Sequence, residues 1–458
     1  MLYEKLLEYI SSGIYSMHMP GHKRNAEFLD IDPLVDITEI RGFDNLHDPT
    51  GILRDTAELA AKLYGAYKSF PLINGSTAGI LAAIGACAKH GDKILMARNS
   101  HMSVYNAVAL FGLSPIYILP ETDKFSGIAC SIDPLAVEPA LKQNPKTKLV
   151  CLTSPTYEGV ISDIGAIADI VHARGIPLLV DEAHGAHLRF YRQFPNRDAM
   201  ASGADISVMS LHKTLPALTQ CALLHIRGEL VDSGEISRLL SVFQTSSPSY
   251  VLLSSIDHCL RLLDSDGARL FGEYERNLVK FREDMACLRN LIALPSSDPG
   301  KLIISTKKTT LSGMDLADIL YAEHKIELEM SSIDYALAMT SICDTEEGFN
   351  RLAKALTVID DSVQPEPPRE SHSPALPVQA KPPGEVLACQ AKLTPLNKAV
   401  ELMSAEYVWA YPPGIPIIIP GEIIDEASVA YITRLIQNGI YPKSTKGQLP
   451  EYIYACSP

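Results

Sequence analysis

Two residues with complementary chemistry follow neighbouring apolar segments of this chain. Asp181 ends the segment 177–181, and Lys213 lies in Ser210-Leu211-His212-Lys213-Thr214, just after the next apolar segment. A pyridoxal-phosphate (PLP) enzyme needs a carboxylate for the ring nitrogen and an amine for the aldehyde. Taken alone, the aspartate is more often part of a structural ion pair and the lysine a solvated residue at a helix start. Together they predict a PLP site.

A small-residue turn supplies a candidate phosphate site. In Asn74-Gly75-Ser76-Thr77-Ala78-Gly79, which opens an apolar helical stretch, backbone N–H groups and the hydroxyls of Ser76 and Thr77 can approach an anion. Alone, such a turn is more often a helix cap. It is neither a Walker loop nor a Gly-x-Gly-x-x-Gly fingerprint. Ser210 and His212, which flank Lys213, add further groups suited to phosphate.

Three histidines lie near these residues in the sequence. His101 follows a predicted strand, where the loops of α/β sheets surround a ligand crevice. It is either a surface residue behind a Ser100 cap or a ring stacked on a flat cofactor. His184 comes three residues after Asp181 and is expected to support the cofactor or the substrate. His187 is expected to be structural.

The elements that must position these residues alternate between short apolar runs and amphipathic stretches from about residue 70 to 230. Because several runs are almost continuously apolar, they predict a mostly parallel sheet covered on both faces, and hence an α/β fold. The predicted strands are 93–97, 115–119, 148–152, 177–181, 206–210 and 222–226.

The rest of the chain predicts further domains. We expect long helices over 250–292, strands at 301–305, 326–330 and 335–339, and a helix over 346–359, followed by a Pro-rich linker. The predicted organisation is an N-terminal segment 1–52, a PLP-binding large domain 53–290, a small α+β domain 291–362, a linker 363–384 and a C-terminal domain 385–458.

The composition of the chain restricts the kinds of partner that it is expected to bind. The chain has 458 residues, of which 47% are hydrophobic, and this length suits two or three domains. A net charge of -14 and a pI near 5.4 argue against a nucleic-acid partner. The nine scattered cysteines include no Cys-x-x-Cys pair, which favours free thiols in a reducing cytosol and no metal site. We predict a cytoplasmic protein with neither a signal peptide nor a membrane span.

Motifs along nearly the whole chain resemble those of the prokaryotic ornithine/lysine/arginine decarboxylases. These motifs are Met19–Lys23, Asp44–Gly51, Asn74–Gly79, Asp181–His184, Ser210–Thr214, Gln244–Pro248, Tyr411–Pro416 and Pro420–Glu422. The resemblance implies an aspartate-aminotransferase-like large domain, a small domain and a family-specific C-terminal domain. It also implies PLP-dependent α-decarboxylation of arginine, lysine or ornithine to a polyamine-pathway amine.

The resemblance assigns roles to individual residues. It implies that the phosphate is held by Ser76, Thr77, Ser210 and His212. His101 would stack on the ring, Asp181 would pair with its nitrogen, and Lys213 would form a Schiff base with the aldehyde. Lys213 or His212 would return a proton to the substrate.

Other implied roles concern the second subunit and the substrate. Thr245 or Ser246 would reach the phosphate of a neighbouring subunit, so the resemblance implies a homodimer with shared sites. Glu422 would lie near the distal cationic group of the substrate, and Asp44 is a second candidate acid there.

Some features depart from the family pattern. The resemblance is to the short biosynthetic-type members, so we expect no N-terminal wing domain of the kind found in the larger inducible ones. Met102 stands where many relatives carry a lysine, and His184 where inducible members carry a tryptophan. Substrate preference and any assembly beyond a dimer therefore stay open.

Two other functions compete with decarboxylation as interpretations of these motifs. An aminotransferase of the same fold commonly has an arginine a few residues after its Schiff-base lysine, whereas residues 214–224 contain none. A catalytically inactive regulatory homologue would have no need to retain Lys213, Asp181 and His101 together.

Overall fold

The computed structural model describes residues 11–17, 23, 27, 43–192, 197–369, 376–387, 389–410 and 415–458. Several predictions fall partly outside these residues. They are the N-terminal segment 1–52, the motif at Met19–Lys23, of which only Lys23 is described, the start of the motif at 411–416, and part of the linker 363–384.

The described strands are β1 Tyr15–Met17, β2 Lys68–Leu72, β3 Lys93–Ala97, β4 Ser114–Ile118, β5 Thr147–Thr153, β6 Leu178–Asp181, β7 Ile206–Ser210, β8 Ala222–Ile226, β9 Ile292–Leu294, β10 Lys301–Ser305, β11 Ile326–Leu328, β12 Met330–Ser331, β13 Tyr335–Met339, β14 Lys392–Pro395, β15 Met403–Ser404, β16 Val408–Trp409, β17 Pro416–Ile418, β18 Lys443–Ser444 and β19 Tyr452–Cys456.

The described helices are α1 Ile52–Tyr64, α2 Gly75–Cys87, α3 Met102–Leu110, α4 Pro134–Gln143, α5 Ile164–His172, α6 Leu211–Thr214, α7 Ser233–Phe243, α8 Tyr250–Met285, α9 Gly313–His324, α10 Glu346–Ser362, α11 Pro383–Leu387 and α12 Glu426–Gln437. None of them is long and apolar enough to cross a membrane.

The largest sheet has seven strands in the order β2-β8-β7-β6-β5-β3-β4. The five strands β3 to β7 run parallel, whereas β8 is antiparallel to both of its neighbours. The prediction of a mostly parallel α/β sheet is therefore confirmed, and the predicted bounds of β3, β7 and β8 match the structure.

Alternate residues of the central strands enter different cores. Leu149 and Cys151 of β5 join one buried cluster, while Val150 and Leu152 join another. Since both faces are covered, the strand can be apolar at every position, which is the pattern that identified it.

The edge strand β2 is absent from the predicted set. It contains Pro71, and proline within an apolar run argues against a central strand because it removes a ladder donor. The structure resolves the conflict by placing β2 at the edge, paired only with β8.

A second sheet, in the order β12-β13-β10-β9, is antiparallel and packs near the helices α8 and α10. The predicted strands 301–305 and 335–339 are β10 and β13. The predicted strand 326–330 is divided at Glu329 into β11 and β12, and α8 ends at Met285, before the predicted 292.

Residues after the linker form two three-stranded sheets, β14-β19-β15 and β17-β16-β18, beside the helix α12. Ile418, Ile432 and Ile453 share one buried cluster there. We keep the predicted domain boundaries as a proposal.

Candidate active site

Asp181 and Lys213 come from adjacent parallel strands. β6 ends at Asp181, and β7 ends at Ser210, after which the short helix α6 carries Lys213. Because β6 and β7 are paired in parallel, their carboxyl ends meet at one edge of the sheet, where α/β folds bind ligands.

The Asp181 carboxylate is buried, with 3% of the residue exposed. Its Oδ1 accepts a hydrogen bond from the backbone N–H of Ala183 at 3.2 Å. Among the residues described, no Lys, Arg or His nitrogen forms an ion pair with it. A buried charge of this kind needs a cationic or hydrogen-bonded partner, and a protonated ring nitrogen would supply one.

Lys213 is hydrogen-bonded to His184. Its Nζ lies 2.9 Å from His184 Nε2, and His184 is 6% exposed. Loss of hydration lowers the pKa of Lys213, although the carboxylates of Asp181 and Glu329 oppose this. A lowered lysine pKa favours the neutral amine that attacks a carbonyl.

His101 is the N-cap residue of the helix α3. Its Nδ1 accepts the backbone N–H of Ser103 at 3.2 Å, and the residue is exposed. Although part of the residue is exposed, the site removes some of the hydration of the ring, and this lowers the pKa of His101. The charge of Lys213 also lowers the pKa, whereas the charge of Asp181 raises it. His101, Asp181 and Lys213 are thus close enough to interact electrostatically. Because His101 is exposed, its ring is accessible to a ligand.

The predicted phosphate groups lie at two helix starts. Ser76 and Thr77 occupy the first turn of α2, whose N-cap residue Asn74 makes no side-chain hydrogen bond to the helix. Ser210 precedes α6, and its Oγ is buried without a hydrogen-bond partner among the described residues. His212 Nδ1 lies 3.1 Å from the carbonyl oxygen of Cys221. An incoming phosphate would satisfy the buried Ser210 hydroxyl.

Thr245 and Ser246 are exposed. The Thr245 backbone N–H donates to Asn74 Oδ1 at 3.4 Å, and its carbonyl oxygen is 2.9 Å from His47 Nε2. The structure therefore puts this segment beside the start of α2 in its own subunit. Its contact with a neighbouring subunit stays a prediction.

The two candidate substrate acids already have partners. The Asp44 carboxylate accepts backbone N–H groups around the start of α1, including that of Gly51 at 2.7 Å. Glu422 is 1% exposed, and both of its oxygens lie 3.2 Å from Arg98 Nη2. Each carboxylate has a structural use here, and a substrate role for either stays a prediction.

Sequence reasoning did not single out Lys301, Tyr157 or Glu329. Lys301 Nζ lies 3.1 Å from His184 Nδ1, and the Tyr157 ring centroid lies 4.6 Å from that of His184. The Tyr157 hydroxyl donates to Glu329 Oε1. The available signal was a lysine that opens an apolar strand, since a buried cation requires a partner.

The His187 side chain is 2% exposed, and its Nε2 lies 3.0 Å from Asp298 Oδ1. This contact joins the loop after β6 to the segment before β10, in keeping with the structural role expected of His187.

Comparison with known proteins identifies the family. The model of the "Orn/Lys/Arg decarboxylase, major domain" matches residues 1–303, and that of the corresponding C-terminal domain matches residues 372–439. Arginine decarboxylase of Halalkalibacterium halodurans is 34% identical over 92% of this chain and 90% of its own length. Arginine decarboxylase of Bacillus subtilis is 34% identical over 96% of this chain and 94% of its own length.

The fold is also that of a solved decarboxylase. The crystal structure of the Francisella novicida lysine decarboxylase LdcF matches with a TM-score of 0.78 at 18% identity, over 91% of this chain and 73% of that one. Together with the two family models, these matches show that the chain belongs to the Orn/Lys/Arg decarboxylase family of amino-acid decarboxylases.

Proposed function

We propose that this protein uses PLP to remove the α-carboxylate of a basic amino acid, with arginine as the first substrate to test. The observation that carries the proposal is the buried Asp181 carboxylate, which has no cationic partner among the described residues, beside the amine of Lys213. Arginine is preferred because the relatives that match over most of the chain are arginine decarboxylases.

The residues of the site suit the cofactor. Lys213 would supply the amine for the aldehyde, and Asp181 would hold the proton on the ring nitrogen. The accessible ring of His101 would cover one face. The phosphate would be held by Ser76, Thr77, Ser210 and His212, where the buried Ser210 hydroxyl still needs a partner. When bound, PLP supplies an electron sink for the pair left behind as CO₂ departs.

The protein's own residues would then stabilise the charge on the cofactor and transfer protons. The carboxylate of Asp181 stabilises positive charge at the ring nitrogen and so favours the loss of CO₂. Lys213 Nζ, held 2.9 Å from His184 Nε2, is the group we favour for returning a proton to the substrate. The absence of arginine from residues 214–224 agrees with a site that leaves the α-carboxylate free to depart.

We further propose a homodimer and a place in polyamine synthesis. Thr245 and Ser246 are exposed next to Asn74, so a second subunit could be reached from this segment. Decarboxylation of a basic amino acid yields an amine that can serve as a precursor of polyamines, which is the class of product that the resemblance implies.

The decisive experiment measures CO₂ release from arginine, lysine and ornithine separately, with formation of glutamate from 2-oxoglutarate followed in the same samples. We expect CO₂ from arginine and no amino transfer. Amino transfer without CO₂ would instead indicate an aminotransferase.

The variant Lys213→Ala should lose turnover and the visible absorbance that borohydride abolishes in the wild type. Lys68→Ala, which removes an exposed lysine from the sheet edge, is the matched control and should retain both. Near-normal activity of Lys213→Ala would show that the nucleophile has been misplaced.

A further inference from the structure

A second buried lysine shares His184 with Lys213. Lys213 Nζ lies 2.9 Å from Nε2 of the imidazole, and Lys301 Nζ lies 3.1 Å from its Nδ1. Lys301 is 1% exposed and comes from β10 of the second sheet, whereas His184 and Lys213 follow strands β6 and β7 of the large sheet. One imidazole therefore joins two amines that come from different parts of the fold.

Tight packing holds Lys301 in this place. A Cβ added at Gly159 would come within 2.5 Å of Lys301 Cγ, so the backbone of that loop lies against the lysine stem. The other contact of Nζ is Met339 Sδ at 2.8 Å, a weak acceptor. The imidazole of His184 is thus the best hydrogen-bond acceptor that the described contacts of Lys301 Nζ provide.

Proton counting limits the charges of this group. A neutral imidazole has one N–H and one lone pair, so it can accept from one ammonium but must donate to the other nitrogen. The two lysines therefore cannot both be ammonium ions while both hydrogen bonds to the imidazole are kept. Protonation of the ring would place a third cation between them, and burial together with Lys213 and Lys301 holds the pKa of His184 well below its usual range.

The proposed chemistry places the proton on Lys301, because Lys213 must be a neutral amine to attack an aldehyde. Burial and the charge of Lys213 lower the pKa of Lys301 to about 8, whereas Asp298 and Glu329 stabilise the ammonium form. Lost hydration also lowers the pKa of Lys213. The charged or titratable groups that act on this trio are Lys23, His101, Tyr157, Asp181, His212, Asp298 and Glu329.

We propose that Lys301 is a positioning residue that carries the buried positive charge, so that Lys213 is held as a neutral amine, and that it returns a proton to Lys213 through His184. In that transfer the proton of Lys301 Nζ moves to His184 Nδ1 while the proton of His184 Nε2 moves to Lys213 Nζ. One positive charge passes from Lys301 to Lys213, and the number of protons is unchanged. The inference rests on the proposed role of Lys213 as the amine that binds the cofactor.

The test measures the protonation of Lys213 itself. The full-length protein, freed of any bound aldehyde with hydroxylamine, is pulse-labelled with acetic anhydride across a pH series, and mass spectrometry gives the labelling pKa of Lys213. In Lys301→Gln, which can still hydrogen-bond to His184 but has no charge, we expect this pKa to rise by on the order of 1 unit or more. Lys301→Met should give the same shift if the glutamine variant does not fold.

Two further variants make the result specific. Lys307→Met removes another buried lysine, whose Nζ donates to the Phe125 carbonyl, and should leave the labelling of Lys213 unchanged. Lys301→Arg retains the charge but does not release a proton. It should therefore keep the low labelling pKa of Lys213 while turnover falls by on the order of tenfold.

Each outcome bears on one part of the inference. An unchanged labelling pKa in Lys301→Gln, or an equal shift in Lys307→Met, overturns the charge role. Wild-type turnover in Lys301→Arg overturns the proton transfer. If borohydride fails to attach PLP to Lys213 in the wild type, the proposed function fails. If the attachment occurs and the pKa does not move, only this inference fails.

Discussion

The buried ion pair between Arg98 and Glu422 makes the sharpest prediction about how this chain is held together. Arg98 follows β3 in the large sheet, whereas Glu422 comes from the C-terminal part of the chain. The side chains are 5% and 1% exposed. Removing either partner leaves an unpaired charge in the protein interior. Replacing both with apolar groups removes the attraction between the charges but also the cost of desolvating them.

The structure ranks the single variants. In Arg98→Met, the Glu422 carboxylate keeps one hydrogen bond, from the Ile419 N–H at 2.9 Å. In Glu422→Leu, the guanidinium keeps the Pro416 and Ile417 carbonyls and the Tyr105 hydroxyl. We expect losses in the free energy of unfolding of about 5 kcal/mol for Arg98→Met and about 3 kcal/mol for Glu422→Leu. The double variant should lose about 5 kcal/mol, no more than Arg98→Met alone, which corresponds to a coupling of about 3 kcal/mol.

The assay uses the one tryptophan of the chain, Trp409. It pairs in register with Pro416, whose carbonyl oxygen accepts from Arg98 Nη1 at 2.7 Å, so urea unfolding followed by its fluorescence reports on this contact. Additive effects of the two substitutions would refute the reasoning. An unchanged unfolding midpoint with a raised KM in Glu422→Gln would instead favour the substrate role predicted from the resemblance.

Three other predictions concern local features. His225 is fully buried, and burial lowers its pKa from 6.5 to about 3, so the unfolded chain binds a proton that the folded chain does not as the pH falls through this window. Wild-type stability should therefore fall by about 1.3 kcal/mol per pH unit more than that of His225→Gln between pH 5.5 and 4, as measured by urea unfolding. Gly313→Ala should lower stability by at least about 2 kcal/mol in the same assay, because the Cβ of the alanine would lie 2.1 Å from the Tyr335 carbonyl oxygen. A urea midpoint equal to that of the wild type would contradict this. Burial acts to raise the pKa of Asp44, but backbone N–H groups outweigh it and lower the value to about 2. Asp44→Asn should therefore cost about 1 kcal/mol through the start of α1 with KM unchanged, whereas a raised KM at unchanged stability would support contact with substrate.

The large sheet could be predicted because the burial of both its faces produces continuous apolar runs in the local sequence. The strands that end at Asp181 and Ser210 are apolar on both faces, and parallel pairing then brings their carboxyl ends together. The pattern fails where local rules conflict with position. Pro71 makes the edge strand β2 hard to recognise. The predicted strand 326–330 is divided at Glu329 because β11, before it, pairs with β1 and β12, after it, pairs with β13.

The unpredicted part of the candidate site depends on contacts between distant segments. Lys301 meets His184 across 117 residues of chain, and Arg98 meets Glu422 across 324. No local periodicity encodes such a contact. A charged residue in an apolar strand indicates only that some partner exists, and the partner is chosen by how the sheets pack.

This packing has a consequence for the chemistry. Asp181 and Lys213 lie on the large sheet, whereas Lys301 and the carboxylate of Glu329 come from the region around the second sheet. Because the pKa of Lys213 responds to Glu329, and that of Lys301 to Lys213, any separation of the two sheets would change the protonation of the amine as well as the shape of the cleft. Substitutions at Lys301 or Glu329 should therefore alter the pH dependence of the reaction even when the residues of the large sheet are untouched.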